Sequence, residues 1–153
     1  MMATKEQLLN SIPEISAAPI NMEMPVLWGD MDSAQHVNNL IYLKWSETSR
    51  IRLFEEIDNI RFDGKNGVIL AWQDIKYIFP MTFPDNAVIT AAITEIRDDR
   101  FFVESKIYSV KHQRIAAITK QSIIPYDYDL LQKAPLTDVW RERLKGLMAK
   151  PQV

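Results

Sequence analysis

Asp30, Asp32, His36, Asn38 and Asn39 lie together in one short polar stretch between Trp28 and Leu40. Gly29 opens that loop, and an apolar pattern of helical spacing begins at Leu40. A helix start presents unpaired backbone N–H groups and the positive end of the helix dipole. Such N–H groups can polarise a carbonyl and hold an oxyanion. An aspartate beside them can direct a water, or attack directly, at an activated acyl carbon. A thioester suits this arrangement: its carbonyl is electrophilic, and its thiolate leaves without strong acid help.

Each residue also has a plainer reading. Asp32 can cap the loop or the helix. Asp30 reads as a brace for loop N–H groups. His36 can be a satisfied loop residue, or it can orient Asp32 or bind the thioester region. Asn38 and Asn39 read as caps, and for Asn39 the functional group is the backbone N–H. Glu47 falls on the apolar stripe of the helix, where a charge needs a partner such as Arg50; otherwise it is a second catalytic carboxylate. His112 reads as an exposed turn residue. Trp45, Trp72, Tyr77, Phe101 and Phe102 read as core or subunit-interface residues.

The absence of cysteine removes disulfides, thiolate zinc sites and a thiol nucleophile. A metal on Asp30, Asp32 and His36 is less simple than a hydrogen-bonding role, and no metal or other cofactor is expected. With a formal net charge of -2 and scattered basic residues, nucleic acid is not an expected partner. No run approaches the roughly 18 apolar residues of a membrane span, and no secretory signal is visible. The expectation is a cytoplasmic protein with no membrane partner.

The 153 residues suit one domain. Residues 1–21 read as an arm: a short helix over Lys5–Asn10, then irregular chain. Residues 22–150 read as the domain. Met22–Trp28 is expected as a strand and Leu40 to about Ile57 as a helix with Leu40, Leu43, Ile51 and Phe54 on its inner stripe. Asp58–Asn66 is a connection, with Gly64 and Gly67 as breakers. From Val68 the period becomes two. Strands follow at Val68–Phe79, Ala87–Arg97, Arg100–Val110 and Arg114–Ile124, the last stopped by Pro125. Leu136–Met148 is a closing helix with Thr137 as cap. Consecutive strands with short turns predict an antiparallel meander covered by one long helix, an α+β architecture.

The loop closely resembles that of the hotdog thioesterases of the 4-hydroxybenzoyl-CoA thioesterase-like group. Their signature is written here as Trp28-Gly29-Asp30-x-Asp32, then His36-Val37-Asn38-Asn39, then Tyr42-Leu43. Ile75 to Pro80 with Asp85, and Pro125-Tyr126-Asp127, look like further family features. The resemblance implies a hotdog fold, a long central helix wrapped by a curved antiparallel sheet. It implies that Asp32 is the catalytic carboxylate and that the Asn39 N–H polarises the thioester carbonyl. The loop is also similar to that of plant acyl-carrier-protein thioesterases, in which the matching His belongs to the site; here that is His36. Ala34 stands where those enzymes have asparagine, and their cysteine has no counterpart. The resemblance therefore implies acyl-CoA hydrolysis first. Acyl-carrier-protein thioester hydrolysis and a non-catalytic acyl-CoA-binding module are the alternatives. Lys65, Lys76, Arg97 and Arg100 are candidates for the CoA phosphates. A lone hotdog leaves edge strands and half a tunnel, so a homodimer or homotetramer is expected.

Overall fold

The computed structural model describes residues 1–57 and 66–150. The expected connection with Gly64 lies outside these residues, apart from Asn66.

The N-terminal arm is more ordered than irregular chain. Helix α1 spans Lys5–Ser11, with Thr4 and Gln7 forming a reciprocal cap. Helix α2 spans Pro13–Ala17, and Pro13 at its first turn is preset for the helix. Both helices pack on the sheet: Leu8 and Ile15 are buried against Val88, Tyr108 and Val110. Strand β1 spans Ile20–Pro25, earlier than the expected Met22–Trp28. The Val26 N–H donates to the Asp85 carbonyl, 2.9 Å away, one step beyond the last β1–β3 pair. Trp28–Asp30 is a 3₁₀ turn.

Helix α3 spans Asn39–Glu55, with Asn38 as its cap. Next come β2 (Gly67–Tyr77), β3 (Asn86–Ile96), β4 (Phe101–Ser109) and β5 (Arg114–Asp127). A two-residue strand, β6 (Gln132–Lys133), and α4 (Asp138–Gly146, capped by Thr137) follow.

All pairings in the sheet are antiparallel, in the order β1-β3-β4-β5-β2, with β6 beside β5. The expected four-strand meander holds only for β3-β4-β5. Strand β2 crosses to pair with β5, Tyr77 opposite Ala117. The link from Ile78 to Asp85, with Pro80 and Pro84, carries the chain across the end of the sheet. Pro125 does not stop β5; it sits opposite Val68. The β4 ladder has ended at Ile123 by then, so the missing proline N–H costs no β4 bond.

The sheet curls around α3, the hotdog arrangement. One core joins Leu53 and Phe54 of α3 to Phe101, Val103 and Ile123. A second joins Tyr42 and Trp45 to Ile89, Ile107 and Met81. The buried face of α3 follows the expected apolar stripe only in part: Phe54 is buried and Ile51 packs against the core, but the stripe's start is not covered. Leu40 is 60% exposed, whereas Ser46, Ser49 and Arg50 are buried. These polar groups are satisfied by the sheet. Ser49 shares a hydrogen bond with Ser105, Ser46 bonds Thr119 and Gln121, and Arg50 donates to Gln121 at 3.0 Å. Hydrogen-bonded in this way, a polar helix face can be buried without a large penalty. Glu47 accordingly points outward, 68% exposed and 3.9 Å from Arg50.

Candidate active site

The loop before α3 is built by its own backbone. The Asp32 N–H donates to the His36 carbonyl, and the Gln35 N–H to the Asp32 carbonyl, both at 3.0 Å. Gln35 takes the left-handed conformation, φ 62°, that this tight reversal needs. The Asp32 carboxylate closes the turn: Oδ1 accepts the Ala34 N–H at 2.8 Å. No donor among the described residues reaches Oδ2.

Asp30 is the brace. Its Oδ2 accepts the Leu27 N–H and its carbonyl accepts the Asn38 N–H, each at 2.8 Å. The Val37 N–H donates to Met81, which pins the loop to the β2–β3 link. Asn38 Oδ1 accepts the Leu40 N–H at 3.0 Å. The Asn39 N–H, by contrast, has no acceptor among the described residues. It is the kind of orphan donor that a helix start leaves over.

A cavity of about 290 Å³ opens beside this loop. Asp32 and Asn39 line it, together with Val37, Tyr42, Tyr77, Ile78, Phe79 and Pro80. Two of the three expected site residues thus share one cavity. His36 is not among the lining residues; its Nδ1 lies 2.9 Å from the Ala34 carbonyl. The imidazole makes no hydrogen bond to the Asp32 carboxylate, and the two residues are joined by a backbone bond.

Two tyrosines complete the wall. Tyr42 lies three residues after Asn39, on the same helix face. Its hydroxyl accepts the Met81 N–H at 2.9 Å, and burial pushes its ionisation upward. Tyr77 stands edge-on to Tyr42, with ring centroids 5.5 Å apart, and donates to the Asn39 carbonyl at 3.0 Å. Tyr77 reads as an ordinary strand aromatic in the sequence, and only the β2–β5 pairing brings it to the helix start. Tyr42 was visible inside the loop motif, although nothing there marked it as cavity wall.

Asp85 is a buried brace at the same end. It accepts from Ser109 Oγ, the Lys111 N–H and the Asn86 N–H. Among the described residues, no group of three or more His, Asp or Glu side chains is arranged to hold a metal. Among them, too, no helix is long and apolar enough to cross a membrane.

With a strand, a braced loop and a long central helix arranged around one cavity, comparison with known proteins is informative. The model of the thioesterase-like superfamily matches residues 26–144, and the chain belongs to that family. Thioester hydrolysis is the reaction class that this membership carries. No curated protein matches the chain. Solved structures share the fold at low identity. A thioesterase-superfamily protein from a Jannaschia species aligns with a TM-score of 0.79 at 17% identity, over 98% of this chain and 97% of its own. A thioesterase from Thermus thermophilus, complexed with coenzyme A and Zn, aligns at 0.75 and 23%, over 88% and 98%. A 1,4-dihydroxy-2-naphthoyl-CoA thioesterase from Synechocystis aligns at 0.71 and 21%, over 83% and 96%.

Proposed function

We propose that the chain hydrolyses an acyl-CoA to the free acid and CoA at the cavity formed by Asp32 and Asn39. The observation that carries this reading is the pairing of a carboxylate oxygen without a donor and an N–H without an acceptor in one cavity. The thioester carbonyl takes the Asn39 N–H, which polarises it and holds the developing oxyanion. Asp32 acts at the carbonyl carbon, either by taking a proton from the attacking water or by attacking first itself. Hydrolysis of the resulting anhydride would complete the second route. CoA thiolate departs in both. His36 supports the turn that presents Asp32 through its carbonyl. The CoA-bound and naphthoyl-CoA relatives support CoA as the carrier.

The assembly belongs to the same reading. Strand β2 ends the sheet, and it exposes Ile69, Trp72 and Tyr77. An open edge with exposed aromatics is a pairing surface. Joining β2 to β2 of a second copy brings that copy beside Tyr77 and the cavity. At least a homodimer follows, and sedimentation of an active monomer would contradict it.

The direct test is thiol release from a panel of aliphatic and aromatic acyl-CoAs, run beside acyl-carrier-protein thioesters. Turnover of one or more CoA thioesters above the carrier-protein thioesters is expected. Tight acyl-CoA binding without thiol release would point to a binding module.

A further inference from the structure

Several of the described basic residues are paired with carboxylates. Arg97 is held by Glu95, Arg100 and Lys133 by Asp99, Lys106 by Glu104, and Lys145 by Glu142. Arg97 and Arg100 already hold carboxylates, Lys76 has no carboxylate partner among the described residues, and Lys65 lies outside them. Arg114 differs. It pairs with no carboxylate among the described residues, and its guanidinium lies over the Phe79 ring, 4.7 Å from the centroid. The His112 ring packs on the same phenyl ring at 4.8 Å. Lys111, on the same turn, also has a side chain without a partner among the described residues. The nearby carboxylate, Asp85, is buried and already accepts from three groups.

Phe79 is also a wall of the cavity that holds Asp32. A bulge makes the connection. Ile107 faces Ala117, but Tyr108 faces Ile115, so Ala116 is an extra residue in β5. Its carbonyl accepts both the Ile78 and Phe79 N–H groups, at 2.8 and 3.0 Å. The extra residue moves Arg114 from the Tyr108 face of the sheet to the Ser109 face, where Phe79 lies. Re-aiming a side chain is a recurrent use of such bulges. An arginine stacked on an aromatic ring keeps its fork of N–H donors free for a phosphate.

We infer that Arg114, with His112 and Lys111 beside it, seats a phosphate of the phosphopantetheine-bearing carrier as its arm leaves the cavity past Phe79. This rests on the thioester reading above and adds the anchor at the far end of the substrate. The shared chemistry is a phosphate on a pantetheine arm, free in CoA or attached to a carrier protein.

Calorimetric titration of the full chain with CoA, 4′-phosphopantetheine and pantetheine tests it, using the wild type, Arg114→Gln and Arg114→Lys. Arg114→Gln should weaken CoA binding by about tenfold, the scale of a lost charge-assisted bond at a partly solvated site. Pantetheine affinity should not change, and Arg114→Lys should recover part of the loss. A loss shared by CoA and 4′-phosphopantetheine places the seat at the phosphate that both carrier types possess. A loss confined to CoA places it at the nucleotide phosphates and overturns a seat for the phosphate on the pantetheine arm. Equal CoA binding by wild type and Arg114→Gln overturns the inference, as does an equal loss for pantetheine or no CoA binding by the wild type. If CoA binds as expected while no thioester is turned over, the hydrolytic reading fails and the phosphate seat stands.

Discussion

The Tyr77 hydroxyl donates a 3.0 Å hydrogen bond to the carbonyl of Asn39, tying edge strand β2 to the first residue of α3. That residue carries the N–H assigned to the thioester carbonyl. The bond therefore fixes the donor's peptide plane neighbour and the mouth of the cavity together. Tyr77→Phe keeps the ring packing on Tyr42 and loses only this bond. A net bond of about 1 kcal/mol corresponds to roughly fivefold. The expected outcome is a several-fold fall in kcat/KM with a melting temperature lower by only a few degrees, read from acyl-CoA kinetics and a thermal scan.

The end of the sheet that supports the loop depends on Asp85. Removing its carboxylate leaves Ser109 Oγ and the N–H groups of Asn86 and Lys111 without their acceptor. Asp85→Ala should destabilise the fold by about 2–3 kcal/mol, the scale for hydrogen bonds to a charged group. A lower denaturant midpoint with an unchanged m-value is the expected reading. An unchanged midpoint would remove Asp85 from the role of brace.

The polar face of α3 allows a contrast between single and double substitutions. Arg50 is buried and donates to Gln121, and burial lowers its readiness to hold charge. Gln121→Leu leaves that guanidinium without its acceptor and should cost about 2–3 kcal/mol. Arg50→Met combined with Gln121→Leu removes both partners and should lie closer to wild type. Urea midpoints of both variants decide this, and a double variant less stable than Gln121→Leu would contradict it.

This face also explains where the sequence was readable and where it was not. The loop stood out because Asp30, Asp32, His36 and Asn39 crowd a strand-to-helix junction. The helix itself was visible, but its orientation was not. Hydrophobic spacing selects Leu40, Leu43, Ile51 and Phe54, of which Phe54 is buried, while the buried side also carries Ser46, Ser49 and Arg50. A buried polar face has no apolar period to detect, and its partners Ser105, Thr119 and Gln121 lie on distant strands. The same distance hid Tyr77. Short turns made β3-β4-β5 legible as a meander, whereas the crossing of β2 to β5 follows from the curl of the whole sheet.

The N-terminal arm has a titrating contact with the sheet. Burial, and then the Glu14 and Glu104 carboxylates, push the Tyr108 phenol up to about 12 from its ordinary 10.0. In that interval the folded state holds a proton that the unfolded state has released. The stability that this group contributes is present below about pH 10 and is lost as pH rises toward about 12. Tyr108→Phe should therefore unfold with a shallower alkaline slope than wild type. Denaturant midpoints between about pH 9 and pH 12 would show it, and parallel slopes would contradict it.

The central claim is that Asp32 carries the chemistry, and Asp32→Asn tests it most directly. The amide retains an oxygen to accept the Ala34 N–H that now goes to Oδ1, so the turn should persist. It can neither take a proton from water nor attack as an anion. The measurement is kcat with the best acyl-CoA of the panel, alongside a thermal melt. The account predicts at least about a hundredfold loss of kcat with the melting temperature within a few degrees of wild type. A folded Asp32→Asn variant with near wild-type turnover would contradict it.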